Sequence, residues 1–111
     1  MTFRHDPEHA DRTPQTLAGH AVIDPNLQPV GEVTDVLYDE REQMPRWAVV
    51  KTGLLRSEHY VPLAHAYLDQ DGHLVVAHDR AAIKRAPRAR RDHVLTREIA
   101  RELRDYYNVA A

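Results

Sequence analysis

Eight histidines in 111 residues suggest a metal site. His65 and His78 stand on either side of the turn Asp69-Gln70-Asp71-Gly72, and a two-residue hairpin loop would place them opposite each other. Two facing imidazoles could hold zinc or nickel together with a carboxylate such as Asp79, whereas a longer loop would shift the register and separate them. Because fewer than three ligands converge, we expect surface histidines that hold no metal and no other cofactor.

Two groups of carboxylates could bind a cation or transfer protons. Asp69 and Asp71, followed by glycine, resemble the start of a calcium loop, but the later oxygen ligands and the terminal glutamate are missing. Asp39, Glu40 and Glu42 lie in a predicted turn, where carboxylates stay solvated and keep ordinary acid–base behaviour. We interpret both groups as turns.

The only serine of the chain, Ser57, is followed by Glu58 and His59. On an extended strand Ser57 and His59 share one face while Glu58 points to the other, so the three cannot form a catalytic triad among themselves. The four glycines are widely scattered, which leaves no glycine-rich phosphate loop. We therefore predict that the chain is not an enzyme.

The segment 80–91 carries six positive side chains and no acidic one. Arginine binds phosphate through its bidentate fork, so contact with nucleic acid is chemically reasonable. However, the segment has no aromatic side chain for base stacking, and the pI of the whole chain is about 6.4. We favour contact with protein, and the partner-binding arginines are predicted to be Arg85, Arg88, Arg90 and Arg91.

Charge divides the chain into an acidic body and a basic tail. Residues 17–79 hold four basic and ten acidic side chains, a net charge of −6, while residues 80–111 hold nine basic and four acidic ones, a net charge of +5. Complementary charges steer and order protein contacts. The tail is therefore expected to fold onto the acidic body or to reach across to another one.

Composition indicates one small globular domain, with 42% hydrophobic and 29% charged residues. The absence of cysteine excludes disulfides, thiolate nucleophiles and cysteine-ligated zinc, and it fits a reducing compartment. We see neither the apolar region of a signal peptide nor an apolar run near the roughly 20 residues that span a bilayer. We expect a soluble cytoplasmic protein that does not insert into a membrane.

Short strands must position these residues. Residues 1–16 are polar and without periodicity, which predicts a flexible leader. A slip in apolar parity between Val33 and Val36 predicts a β-bulge near Thr34 and Asp35. Apolar runs separated by turn residues then predict six strands, over 18–24, 30–38, 46–52, 58–63, 66–68 and 74–77. Six short strands at this spacing predict a mainly β protein, a small antiparallel barrel that is closed or nearly closed.

Two helices are predicted after the strands. Asp79 can N-cap a short helical turn that ends before Pro87. Thr96 caps a C-terminal helix, and Asn108 suits the left-handed position that closes it. An apolar stripe on this helix must be covered, either by the barrel or by a second chain. The stripe consists of Leu95, Ile99, Leu103 and either Tyr106 or Tyr107.

An ordered series of residues over about 17–87 resembles the PRC-barrel family. The series is Leu17-x-Gly19, Val22-x-Asp24, Val30-Gly31-Glu32-Val33-x-Asp35-Val36, Asp39, Arg46-Trp47-Ala48-Val49-Val50, Gly53, Val61-Pro62-Leu63, Asp71-Gly72-x-Leu74-Val75 and Ala86-Pro87. The first loop departs from the family in having Leu27-Gln28-Pro29 where a glycine is often found. The resemblance implies a barrel over 17–87, followed by a basic linker and C-terminal helix over 88–111.

The family includes the cytoplasmic domain of the photosynthetic reaction-centre H subunit and the C-terminal domain of a ribosome maturation factor. The resemblance therefore implies a non-catalytic interaction or adaptor module, for which a shared helix surface favours a homodimer that also binds another protein. One alternative is an RNA- or ribosome-associated factor that uses segment 80–91. Another is an accessory component of a membrane electron-transfer complex. The candidate dimer residues are Ile99, Leu103, Tyr106 and Tyr107.

Overall fold

The computed structural model describes residues 3–5, 17–39, 41, 43–53 and 56–109, the first three as backbone alone. Seven strands and two helices occur in these ranges. The strands are β1 (Phe3–His5), β2 (Ala21–Ile23), β3 (Pro29–Asp39), β4 (Met44–Thr52), β5 (Ser57–Pro62), β6 (Tyr67–Leu68) and β7 (Leu74–Val75). The helices are α1 (Arg80–Arg85) and α2 (Arg97–Tyr107). Neither helix is long and apolar enough to cross a membrane.

The strands form one open, mixed sheet in the order β5-β4-β3-β2-β7-β6, and β1 pairs with β3 beside this path. The predicted antiparallel, closed barrel is therefore wrong in two respects. First, β2 and β7 are parallel, with Val22 opposite Leu74 and Ile23 opposite Val75. Second, the ring does not close on β5, because the chain after α1 lies along the outer edge of that strand. There His59 bridges to Arg88, and the Ala89 N–H donates to the Glu58 carbonyl at 2.7 Å.

The long hairpin of β3 and β4 forms the centre of the sheet and contains the predicted bulge. Val33 pairs with Val50 and Asp35 with Val49, so Thr34 is the extra residue. Near the start of β3, a side chain at Gly31 would collide with the Lys51 carbonyl oxygen, because the two strands approach closely there. The β-bulge prediction is confirmed.

The first predicted strand is shorter than expected because the chain turns on both sides of it. The Asp24 side chain is fully buried and accepts N–H bonds from Asn26, Gln28 and Arg80, each at 2.9 Å. Leu27 takes the left-handed conformation at φ 65°, which gives the loop the backbone form that a glycine would favour. The carboxylate of Asp24 thus joins this turn to the first residue of α1.

Three residues of the predicted leader, Phe3–His5, form β1, which pairs antiparallel with Leu37–Asp39 of β3. At these three residues the structure differs from the predicted flexible leader. Strand β2 pairs only with the first part of β3, so the backbone hydrogen-bonding groups farther along that edge of β3 are available to pair with β1. The rest of the predicted leader lies outside the described residues.

All three predicted cap residues occupy their expected positions. The Asp79 carboxylate accepts the Ala82 N–H at 2.7 Å, and the Thr96 hydroxyl accepts the Ile99 N–H at 3.2 Å. Asn108 has φ 57° and ψ 46°, the left-handed conformation that ends α2. Local capping chemistry therefore fixes both ends of α2 and the start of α1.

The core lies between the inner face of the sheet and the two helices. Ile83 of α1 and Leu103 of α2 are completely buried against the sheet, together with Leu95 from the connecting segment. The sheet itself contributes valines, Trp47 and Tyr60. The apolar stripe of α2, from Leu95 to Tyr107, therefore packs against the sheet of its own chain in this structure.

Candidate functional site

A cavity with a volume of about 620 Å³ lies where the ends of β4 and β5 meet α1. Thr52 and His59 are buried in its wall, while Lys84 and Arg88 are exposed at its rim. We call this cavity the basic pocket. Its lining residues are Thr52, Gly53, Ser57, His59, Arg80, Lys84, Ala86 and Arg88.

A chain of hydrogen bonds forms the inner wall of the basic pocket. The Nδ1 atom of His59 lies 3.0 Å from the carbonyl oxygen of Ala86, which can only accept, so Nδ1 carries the proton. The neutral ring then accepts the Ser57 hydroxyl at Nε2, over 3.2 Å. The Thr52 hydroxyl lies 3.2 Å from the Ser57 carbonyl and 3.3 Å from its Oγ. The wall therefore presents uncharged hydroxyl groups.

Burial lowers the pKa of His59 below its ordinary value, and the nearby charge of Arg88 lowers it further. Hydrogen bonds to the backbone oppose this shift without reversing it. His59 is therefore neutral at pH 7, in the form that the hydrogen bond from Ser57 requires.

Ser57 and His59 do share one face of β5, as predicted, and Glu58 points to the other. The Glu58 carboxylate contacts His93 Nε2 at 2.9 Å and accepts the Thr34 hydroxyl at 2.7 Å. A backbone carbonyl thus occupies the position at His59 that a carboxylate occupies in a triad. Sequence reasoning placed Ser57 and His59 together but missed Thr52 and the cations around them.

The six cationic side chains of segment 80–91 form what we call the basic face. Arg80 is half-buried and the other five are exposed. Among the described residues, the one ion pair of this face joins Arg90 to Asp92 at 3.3 Å. The predicted partner-binding arginines therefore all lie at the surface. The members of the face are Arg80, Lys84, Arg85, Arg88, Arg90 and Arg91.

The candidate dimer residues of α2 have different surroundings. Leu103 and Tyr107 are buried, and the Tyr107 hydroxyl donates to the Tyr60 carbonyl at 2.8 Å. Ile99 is half-buried, and Tyr106 is 41% exposed with its hydroxyl 2.6 Å from the Ala82 carbonyl. Three of these four residues pack in or against the core of their own chain, and Tyr106 is exposed.

The weak metal candidates His65 and His78 do not face each other. Tyr67 pairs with Val75, and the Asp69 N–H donates to the His73 carbonyl, so the hairpin loop has three residues and its register shifts by one. The ring of His78 instead packs on Tyr107, with 4.7 Å between the centroids. Of the two loop lengths that the sequence leaves open, the structure therefore has the longer one, which separates these histidines.

The same hairpin brings Asp69, Asp71 and His73 together, with one ligand atom of each within 4.8 Å of the others. Asp69 Oδ1 already accepts the N–H groups of Asp71, at 2.9 Å, and of His73, at 2.8 Å. These bonds account for the geometry as an aspartate-stabilised turn, in agreement with the sequence interpretation.

A second histidine cluster was missed by sequence reasoning. His93 lies between two carboxylates, with Nδ1 2.8 Å from Asp35 and Nε2 2.9 Å from Glu58. Burial alone would lower the pKa of His93, but these hydrogen bonds and charges together raise it. The pKa of Glu58 is lowered: burial opposes this, and hydrogen bonds from Thr34 and His93 outweigh it. The cluster therefore holds an ion pair that fastens the tail to the sheet.

An apolar groove of about 420 Å³ lies next to the edge strand β6. Tyr67 is 60% exposed and Leu68 is 37% exposed at its rim. None of its lining residues carries a charge at neutral pH. They are Leu17, Tyr38, Pro45, Leu63, Ala66, Tyr67, Leu68 and Leu74.

A protein-family model described as the PRC-barrel domain matches residues 14–83, more than half of the chain. The match runs from before β2 into α1 and ends before Lys84. Most of the basic face and all of α2 therefore lie beyond it. No curated protein matches the chain.

Proposed function

The chain belongs to the PRC-barrel domain family, and we propose that it acts as a non-catalytic interaction module that binds an acidic partner protein through the basic face. The observation that carries this proposal is the unpaired charge of the face. Lys84, Arg85 and Arg91 are exposed, and no carboxylate of the described residues forms an ion pair with them. Carboxylates of a partner can supply the missing counter-charges and guide the encounter.

The arrangement on β5 supports a non-catalytic function. A serine nucleophile needs a general base. A third group must orient this base and stabilise the positive charge that develops on it. His59 is oriented by a neutral carbonyl, and the charge of Arg88 disfavours its protonation. Glu58 is engaged with His93 on the opposite face. Ser57 is therefore better suited to hydrogen bonding than to attack.

A protein partner fits the basic face better than RNA does. Single-stranded RNA is held largely by aromatic side chains on which bases stack, and segment 80–91 has none. The net charge of −6 on residues 17–79 would also repel a long polyphosphate backbone that extends past the basic face. A compact acidic surface avoids that repulsion.

The test begins with crosslinking in the cells that naturally produce the chain, followed by purification of the protein recovered. Its affinity is then measured by calorimetry for the wild type and for the double variant Arg85→Gln/Arg91→Gln. We expect the double variant to bind at least about tenfold more weakly, and added salt to weaken wild-type binding further. The matched control is Arg97→Gln/Arg101→Gln, which removes two exposed arginines from α2.

Equal affinity of the partner for the wild type and the basic-face variant would overturn this proposal. Recovery of material that ribonuclease releases, with no protein bound directly, would overturn it in favour of an RNA-associated factor.

We further propose that two copies of the chain associate through the apolar groove, because the groove carries both halves of a self-complementary contact. Tyr67 and Leu68 protrude at its rim, so a two-fold axis would let each copy insert these side chains into the groove of the other. The absence of charged lining residues lets two chains of net charge −2 meet there without local repulsion.

Light scattering coupled to gel filtration tests the association at several protein concentrations. We expect twice the chain mass at high concentration for the wild type and the single-chain mass for Leu68→Glu. The exposed hairpin residue Gln70 provides a control variant, Gln70→Glu, which adds the same charge and should remain dimeric. A wild type that remains monomeric at high concentration would refute the dimer.

A further inference from the structure

Three cations converge on the basic pocket from α1 and the segment that follows it. Arg80, Lys84 and Arg88 all line the cavity, and none of its lining residues is acidic. Asp24 is a nearby counter-charge, since its carboxylate accepts the backbone N–H of Arg80 at 2.9 Å. Asp24 is fully buried and already accepts three N–H groups. The pocket therefore retains an excess of positive charge.

The inner wall adds hydrogen-bond donors that can turn toward a ligand. Ser57 and Thr52 each carry a hydroxyl proton that rotates about the C–O bond. Either hydroxyl can leave its present partner, at 3.2 Å in both cases, for a stronger bond to an anionic oxygen. His59 is fixed behind them by Ala86. Cations at the rim and hydroxyls on the wall together surround a space that an oxyanion would fill.

We propose that the basic pocket is a binding site for the phosphoryl group of a small phosphorylated molecule. A phosphate dianion matches three converging cations better than a single carboxylate does, and its oxygens can accept from arginine and hydroxyl groups at once. The cavity of about 620 Å³ lies within the size range of small-molecule sites, so it has room for more than one phosphate. Its lining includes no tyrosine, phenylalanine or tryptophan on which a nucleobase could stack.

This site shares Arg80, Lys84 and Arg88 with the basic face, yet the two proposals are tested on different residues. The lining includes neither Arg85 nor Arg91, the two arginines whose removal tests that surface. A phosphorylated ligand would occupy the cavity behind the basic face and leave those side chains exposed.

The experiment titrates the purified full chain with inorganic phosphate, pyrophosphate and glucose 6-phosphate, and with citrate as a carboxylate comparator. Calorimetry measures the affinities, and two-dimensional amide NMR spectra locate the site. We expect the phosphate compounds to bind more tightly than citrate, and to shift amide signals in residues 52–59 and 80–88. The Lys84→Gln and Ser57→Ala variants should each lower the affinity about tenfold. The matched control Arg97→Gln removes an exposed arginine outside the pocket and should leave the affinity within twofold.

Equal affinities for Lys84→Gln, Ser57→Ala and the wild type would overturn the proposal, as would tighter binding of citrate or amide shifts spread over the whole surface. Amide spectra of the unliganded variants establish that each one folds. Failure here leaves the protein-binding proposal intact, because that proposal is tested on Arg85 and Arg91 with a different ligand.

Discussion

The basic face and helix α2 belong to the same tail, yet their side chains have different surroundings. Helix α2 is held by its side chains, since Leu103 and Tyr107 enter the core. In segment 80–91, Ile83 enters the core, and the backbone N–H groups of Arg80 and Ala89 bond to Asp24 and Glu58. These contacts leave the exposed cationic side chains available to contact a partner.

This difference separates stability from recognition within one segment of 30 residues, 80–109. A side chain that fills the core cannot change without a cost in folding free energy. A side chain that projects from a backbone-anchored strand or short helix can change freely with respect to the fold. The comparison predicts that substitutions in α2 affect unfolding, and that substitutions on the basic face affect binding.

The largest effect is expected from Leu103→Ala in α2. The Leu103 side chain has no exposed surface, so its truncation should lower the free energy of unfolding by about 2–5 kcal/mol. Urea denaturation followed by circular dichroism measures the change. Glu102→Ala, at an exposed neighbouring position, serves as the control and should change it by less than about 0.5 kcal/mol. A loss below about 1 kcal/mol for Leu103→Ala would mean that α2 is not anchored through the core.

The next effect concerns His93, which joins the two halves of the tail to the sheet by charge. His93→Asn should lower the free energy of unfolding by about 1.5–3 kcal/mol near pH 5.5, because hydrogen bonds to two charged partners are lost. Asparagine tolerates the left-handed backbone at this position, where φ is 57°, so the variant tests the side chain alone.

The pH dependence of this effect follows from the two pKa shifts. The pKa of His93 is raised, so its contribution is complete below the ordinary histidine pKa of 6.5 and disappears as pH rises through the folded-state pKa. The pKa of Glu58 is lowered from 4.5, so its contribution is complete above that value and disappears as pH falls through the folded-state pKa. The stability difference between wild type and His93→Asn, measured by thermal unfolding, should therefore be largest between about pH 4.5 and 6.5. A difference that stays constant from pH 5 to pH 9 would contradict the ion pair.

A smaller effect is expected where the two halves contact each other directly. The Tyr106 hydroxyl of α2 donates to the Ala82 carbonyl of α1 at 2.6 Å. Tyr106→Phe removes this bond at an exposed position, which should cost about 0.5–1.5 kcal/mol in urea denaturation. No measurable loss would show that the two helices are held independently.

The smallest effect on stability is expected on the basic face. Arg85→Gln/Arg91→Gln should change the free energy of unfolding by less than about 0.5 kcal/mol, because both side chains are exposed and unpaired among the described residues. The measurement is the same urea denaturation. A loss comparable to that of Leu103→Ala would remove the distinction between the two halves.

The features that sequence reasoning predicted correctly are local ones. Asp79, Thr96 and Asn108 are cap residues whose side chains or backbone preferences act within four positions. The bulge at Thr34 was visible because it changes the alternation of apolar residues along a single strand. Such signals do not depend on where the rest of the chain goes.

The features that it missed depend on distant segments. The sequence left the length of the 69–73 hairpin loop open, and one additional loop residue separates His65 from His78. Strands β2 and β7 have three and two residues, too few for periodicity to reveal that they pair in parallel. The basic pocket is formed by residues from segments 52–59 and 80–88, and neither segment contains a sequence pattern that indicates contact with the other.

The buried carboxylate of Asp24 has a practical consequence for engineering. The Asp24 side chain joins the turn at residues 24–28 to the first amide of α1. If segment 80–91 were transplanted without this turn, it would lose the contact that orients the start of α1. A graft of these arginines onto another scaffold should carry that turn with it, or replace the carboxylate by an equivalent acceptor. Loop insertions should likewise be better tolerated in the hairpin at 70–72 than between residues 77 and 80.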